Sequence, residues 1–227
     1  MGKPEFLEFF AFGLGPLHIG ATVLTTWLLM AALTGVAWLG TWRLSVNAPS
    51  RLQTMLEGTV LALQQAIEDA APGHAARLLP FIGTLWLFIA AANLMGLVPG
   101  LRSPTGDLSL TVALALLVFA SVHWFGIRID GLRTYLKHYL DPNPILLPFH
   151  LLGEITRTLA LAVRLFGNIM SLEMAALLVL LVAGFLAPVP ILMLHIVEAL
   201  VQAYIFGTLA PVYIAGALQS HELKHKE

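Results

Sequence analysis

Residues 9–42 contain no Asp, Glu, Lys or Arg. About 20 apolar residues suffice to carry a helix across the hydrocarbon core of a bilayer. A helix that is apolar all round has to be buried in protein or in lipid. The pattern recurs at 78–101 and 108–127, both free of the same four residue types. These runs are far longer than the ~10 residues of a barrel strand, so the expected fold is an all-α integral membrane protein.

Composition agrees. Charged residues make up 11% of the 227-residue chain, against about 25% in soluble domains. Mean hydropathy is +0.84. The net charge of −1 points to no nucleic-acid partner. With no Cys, disulfides, thiolate chemistry and Cys-held metals are excluded, and nothing implies a cofactor. Residues 1–8 carry one Lys and two Glu. They lack the basic head and short apolar core of a cleaved signal, so the first apolar run is expected to be a retained span.

Taken in order, the sequence predicts one membrane domain over 1–227 with five spans, about 17–41, 78–98, 108–127, 145–185 and 190–219. Trp38, Trp42 and Arg43 mark an interface at the end of the first. An amphipathic helix is expected at about 50–71, with Leu52, Met55, Leu56, Val60, Leu63 and Ile67 at helical spacing among charges. A second polar, amphipathic piece covers 128–142. The last two helices should form a long tilted hairpin. With the N-terminus outside, Arg43, Arg51, Arg77, Arg128, Arg133, Lys137, Lys224 and Lys226 are cytoplasmic, and only Lys3 and Arg102 lie outside. The positive-inside bias therefore places the C-terminus in the cytoplasm.

Two arginines remain inside the membrane, Arg157 and Arg164. An Arg at mid-bilayer costs about 2.5–3.5 kcal/mol on insertion scales, so it must be paired, wetted or used. His150, Glu154, Arg157, Arg164 and Asn168 share one stripe of the fourth span. Arg157 has Glu154 three residues away and reads equally as a structural ion pair. Arg164 has no acid three or four residues away. Glu173 is nine residues beyond it, on the opposite side of the helix and about 13.5 Å further along. On the last helix His195, Glu198, Gln202 and Tyr213 share a face. A His beside carboxylates titrates near neutral pH. A titratable cluster with a fixed cation deeper in makes an ion path containing a barrier. His123 and Trp124 read as interface anchors, and Asn93 as a helix-packing hydrogen bond.

The motif Leu161-Ala-Val-Arg164-Leu-Phe-Gly-Asn168, with Glu173 after it, resembles the a subunit of rotary F-type ATP synthases. The stretch from Phe81 through Asn93 to Pro99 resembles that family's second span, Ser103-Pro-Thr-Gly-Asp107 the start of its third, and Gln202-Ala-Tyr204-Ile-Phe206, with Tyr213, its last helix. The resemblance implies a stator subunit in a bacterial inner membrane. It is not catalytic alone and supplies two offset half-channels that couple proton or sodium flow to rotation of a c-subunit ring. Implied partners are the ring, a b-subunit peripheral stalk, the other synthase subunits and lipid. Arg164 would face the ring's carboxylates, Asn168 and Gln202 would flank it, and Glu173, His195 and Glu198 would line the outer access path. Glu154, Arg157 and Tyr213 are further pathway candidates. Two other readings use the same residues: a stand-alone transporter with Arg164 binding an anion, and a membrane scaffold. The first predicts inverted repeats, which are absent from the sequence; the second has no need of polar stripes on both final helices.

Overall fold

A computed structural model describes residues 13–14, 17–18, 20–42, 44–45, 50–98, 103–131, 147–184, 187 and 189–219. Six helices dominate the described residues: α1 Ala21–Thr41, α2 Arg51–Ala70, α3 Ala75–Met95, α4 Leu108–Asp130, α5 Leu147–Ala183 and α6 Val189–Gln219. A single 3-10 turn, Pro104–Gly106, lies between α3 and α4. Five helices are long and apolar enough to cross a membrane, all but α2. The expected membrane-spanning all-α class holds.

The first span starts later than the expected residue 17. Gly13–Leu14 and Leu17–His18 form a short antiparallel pair, with Gly13 opposite His18. Gly15 and Pro16 separate the two strands, a sequence that favours a turn over a helix. The helix begins only after Gly20, whose backbone is extended. At its far end Trp38 and Trp42 are exposed and stacked, with ring centroids 5.9 Å apart. The second amphipathic piece expected at 128–142 falls mostly outside the described residues; α4 itself continues to Asp130.

Two of the helices start at a side-chain cap. Ser50 accepts from the backbone N–H of Gln53 at the start of α2. Asp107 does the same for Ser109 at the start of α4. Burial pushes the Asp107 carboxyl up, but hydrogen bonds from the Ser109 hydroxyl, the Ser109 N–H and the Thr22 hydroxyl outweigh it and hold the group below the usual range. Thr22 reaches it from α1 at 2.8 Å, which ties the start of α1 to the start of α4.

The core lies between α3, α4, α5 and α6. At mid-depth Ile89, Val118, Leu165 and Phe206 are buried together. A second cluster closes one end. There Ile67 and Ala71 of the α2 region meet Ala75, Leu78, Val122 and Ile214. This cluster defines the α2 end of the molecule; the 3-10 turn marks the other end. Helix α1 stands apart, with only 6% of its span buried.

Gly207 of α6 shows how closely the core helices approach. A Cβ there would stand 2.7 Å from Trp86 Cε3 and 2.8 Å from Trp86 Cγ. The indole lies on the bare backbone and meets the Tyr204 ring edge-on, centroids 5.4 Å apart. Gly207→Ala is expected to cost about 1–3 kcal/mol, the usual penalty for overpacking a closed core. A lower melting temperature in detergent is the readout; unchanged melting would show that Trp86 moves aside freely.

Candidate functional site

Helix α5 has 37 residues, so it is about 55 Å long. That is nearly twice the ~30 Å hydrocarbon core, so it must lie steeply tilted or extend into the interface. Only 17% of its span is buried. Leu159, Val163 and Met170 form an exposed apolar surface, and Arg164 emerges among them, itself exposed. Among the described residues Arg164 makes no hydrogen bond or ion pair.

One turn further on, Asn168 donates from Nδ2 to Gln202 Oε1 of α6 at 2.9 Å. Gln202 is 1% exposed, and its Nε2 has no partner among the described residues. An unsatisfied buried donor costs about 1–3 kcal/mol. The amide pair pins α5 to α6 beside the arginine.

Glu173 is half-buried on another side of α5, facing the 3-10 turn. Its Oε1 accepts from the Ser103 N–H at 3.2 Å. Two glycines make room for the carboxylate. A Cβ on Gly96 would meet Glu173 Oε1 at 3.2 Å and His195 Cε1 at 3.5 Å. One on Gly106 would meet Glu173 Oε2 at 3.4 Å. Glu173 and His195 therefore converge on the same glycine from α5 and α6.

His195 is 3% exposed, with Nε2 3.2 Å from the Asn93 carbonyl. Since a carbonyl only accepts, Nε2 carries the proton of that contact. The Asn93 side chain donates to the Ala199 carbonyl at 3.3 Å and accepts from Thr105 at 2.7 Å. Ser103 completes the chain, 2.6 Å from the Thr105 hydroxyl and donating to the Ala92 carbonyl. The expected packing role of Asn93 is present, and the same residue orients His195. Ser103, Thr105, Gly96 and Gly106 figure in the sequence only within stretches that resemble spans, with nothing marking them as site residues. Their signal, small residues beside a Pro and an Asp, marks a turn and says nothing of what the turn contacts.

The remaining candidates separate. Glu198 is half-buried and makes no hydrogen bond or ion pair among the described residues. Tyr213 lies toward the α2 end, where the Arg157 guanidinium stands over its ring at 4.5 Å. Arg157 is not paired with Glu154; Glu154 Oε2 instead meets His123 Nε2 of α4 at 3.3 Å. The side chain of His150 lies outside the described residues. Along α5, Glu154 precedes Arg164 by ten residues and Glu173 follows by nine. Polar stations thus stand about 15 Å and 13.5 Å on either side of the arginine. They point roughly 100° apart around the helix.

The described helices make a multi-pass membrane protein in which an exposed arginine stands between two offset polar stations. The sequence comparisons give the family. Residues 23–215 match the ATP synthase A chain family. The chain is 57% identical over 224 residues to ATP synthase subunit a of Legionella pneumophila strain Corby, covering 99% of this chain and 97% of that protein. It is 65% identical over 213 residues to ATP synthase subunit a 2 of Pelobacter propionicus, covering 94% and 93%. It is 66% identical over 206 residues to ATP synthase subunit a 1 of Hahella chejuensis, covering 91% and 87%. The chain belongs to the ATP synthase A chain family, the a subunits (subunit 6) of F-type ATP synthases. Its members are membrane-sector subunits of the synthase, not enzymes on their own.

Proposed function

We propose that this chain supplies the two half-paths and the fixed cation through which cation flow turns a ring of c subunits. The observation that carries the reading is Arg164: a permanent charge, exposed at mid-span on an apolar surface, with no partner among the described residues. A guanidinium stays protonated at any relevant pH. In lipid it needs a counter-charge. A carboxylate on each passing ring subunit provides one that is renewed at every step.

The cation enters from the 3-10 end along Glu173 and His195, with Glu198 beside them. It neutralises a ring carboxylate, which then turns into lipid. A neutral carboxyl tolerates lipid and an ionised one does not, and this asymmetry biases rotation. The ring returns the site to Arg164 from the other side, where the cation leaves toward Glu154, Arg157 and Tyr213. Arg164 attracts the ionised carboxylate and repels a cation crossing directly between the half-paths. Asn168 and Gln202 hold α5 and α6 in register beside it. Each ion crossing 100 mV delivers about 2.3 kcal/mol. The chain works in the bacterial inner membrane with its N-terminus outside and its C-terminus cytoplasmic, next to a b-subunit stalk.

The test is ATP-driven transport by the whole complex in vesicles. A proton-coupled machine acidifies the lumen without sodium and loses the gradient to a protonophore. A sodium-coupled one accumulates sodium, and protonophore does not abolish that uptake. Cation uptake by this chain reconstituted alone would refute the stator reading.

A further inference from the structure

A groove of about 630 Å³ separates α1 from α3 and α4. Its walls are apolar, with Leu33 and Ala37 on α1, Phe81 and Phe88 on α3, and Leu110 and Leu117 on α4. Three threonines also line it, and each hydroxyl is satisfied within its own helix. Thr26 donates to the Thr22 carbonyl at 2.7 Å, Thr34 to that of Met30 at 2.8 Å and Thr84 to that of Pro80 at 2.8 Å. The lining therefore suits an apolar occupant. The two ends of the groove differ. Thr22 lies one turn before Thr26, and Asp107 three residues before Leu110, so their hydrogen bond closes the 3-10 end. At the other end α1 is held by α2 instead: a Cβ on Gly40 would meet Leu56 Cδ1 at 2.7 Å. No hydrogen bond ties α1 to α4 at that end among the described residues.

Depth and charge identify the occupant. The α1 wall runs from Thr26 to Ala37, eleven residues or about 16.5 Å of helix axis. One leaflet's share of the ~30 Å hydrocarbon core is about 15 Å. Trp38 and Trp42, just past Ala37, are exposed and mark the interface. A membrane-crossing helix would need both leaflets; a single acyl chain ends where the groove ends. At the open end two arginines continue the groove faces. Arg77 is one turn before Phe81 on α3, and Arg128 is eleven residues past Leu117 on the same side of α4. The Phe81 and Phe125 rings meet across these helices with centroids 5.9 Å apart. From that contact Arg77 lies about 6 Å and Arg128 about 4.5 Å further toward the α2 end, so they share a depth. Both are exposed and make no hydrogen bond or ion pair among the described residues; Arg128 stands over Trp124 at 5.2 Å. Arg77 also sits in the first turn of α3, where the helix dipole disfavours a cation. No acidic residue in that turn offsets it.

We propose that this groove seats an anionic phospholipid from the leaflet on the α2 side. One acyl chain fills the space between α1, α3 and α4, and the phosphate lies between Arg77 and Arg128. Basic clusters at the ends of gaps between membrane helices suit anionic headgroups in this way. The lipid then supplies the packing that α1 lacks against α4 and the anion that the start of α3 lacks. The site is independent of Arg164 and of which cation is translocated.

The experiment reconstitutes the whole complex in phosphatidylcholine nanodiscs with a trace of phosphatidylglycerol carrying a diazirine at the end of one acyl chain. After illumination, labelled residues are mapped by mass spectrometry. Label is expected on the groove faces of α1, α3 and α4. Unlabelled phosphatidylglycerol should compete it away, and phosphatidylcholine should not. Arg77→Ala and Arg128→Ala should each lower groove labelling about fivefold, the contribution of one basic residue at an anionic leaflet. Arg77→Lys and Arg128→Lys keep the charge and should keep most of the label. Ala113→Phe fills the groove from α4 with both arginines intact, and should abolish labelling. Co-purification and ATP hydrolysis establish that each variant assembles. Equal competition by phosphatidylcholine overturns the proposal, as does groove labelling unchanged in the paired Arg77→Ala, Arg128→Ala variant. So does a photo-crosslinker placed at Leu33 that captures another synthase subunit in place of lipid.

Discussion

A complex carrying Arg164→Ala is expected to hydrolyse ATP without building a cation gradient. Arg164 has no partner among the described residues, so its removal leaves the chain's own contacts in place. On the proposed reading, what is lost is the counter-charge to the ring carboxylate. Stripping one partner from a buried charge pair costs about 3–5 kcal/mol, so transport should fall by about two to four orders of magnitude. The surrounding surface, Leu159, Val163 and Met170, is apolar and offers the ionised carboxylate nothing in exchange. Arg164→Lys should fail nearly as badly. Lys is a compact charge without the planar fork, and it can give up its proton in an apolar setting. Gradient formation at the original rate in either variant would rule out Arg164 as the coupling charge. Complex assembly, followed by co-purification and ATP hydrolysis, separates this result from misfolding.

The arginine was legible in the sequence because membrane depth makes any charge conspicuous. The five spans were legible for a related reason: apolar length is a one-dimensional property. The start of α1 was not, since Gly13, Gly15, Pro16 and Gly20 punctuate a run whose hydropathy alone continues unbroken. Pairings across helices were the least legible. The spacing of Glu154 and Arg157 shows that they could meet on α5. It cannot show that His123 of α4 and Tyr213 of α6 compete for them and win. In the same way, Glu173 and His195 were traceable as polar residues toward one end of two antiparallel helices. Their convergence on Gly96 depends on how α3 and the 3-10 turn pack against both, which no periodicity encodes.

That convergence supplies the second large effect. Glu173→Gln keeps the shape of the side chain and its acceptor oxygen for the Ser103 N–H, but removes the ionisable group. Cation flux should drop about a hundredfold, the low end of what a positioned acid–base group contributes. The pH profile should move on the 3-10 side and stay in place on the α2 side. His195→Gln should act in the same direction, and less selectively, because it also frees the Asn93 carbonyl that Nε2 contacts. Two groups that pass one ion in sequence are not independent. The double variant should therefore lose less than the product of the two single losses, as neighbours in one network do. Losses that multiply cleanly would place Glu173 and His195 on separate routes. Gly96→Ala provides the structural control. Its methyl group would intrude on both the carboxylate and the imidazole while leaving both ionisable. Slower flux with an unmoved profile is the expected result, because access is narrowed but the titrating groups remain. A Gly96→Ala profile displaced as far as that of Glu173→Gln would mean that the packing around the pair, not the carboxylate itself, sets the pH response.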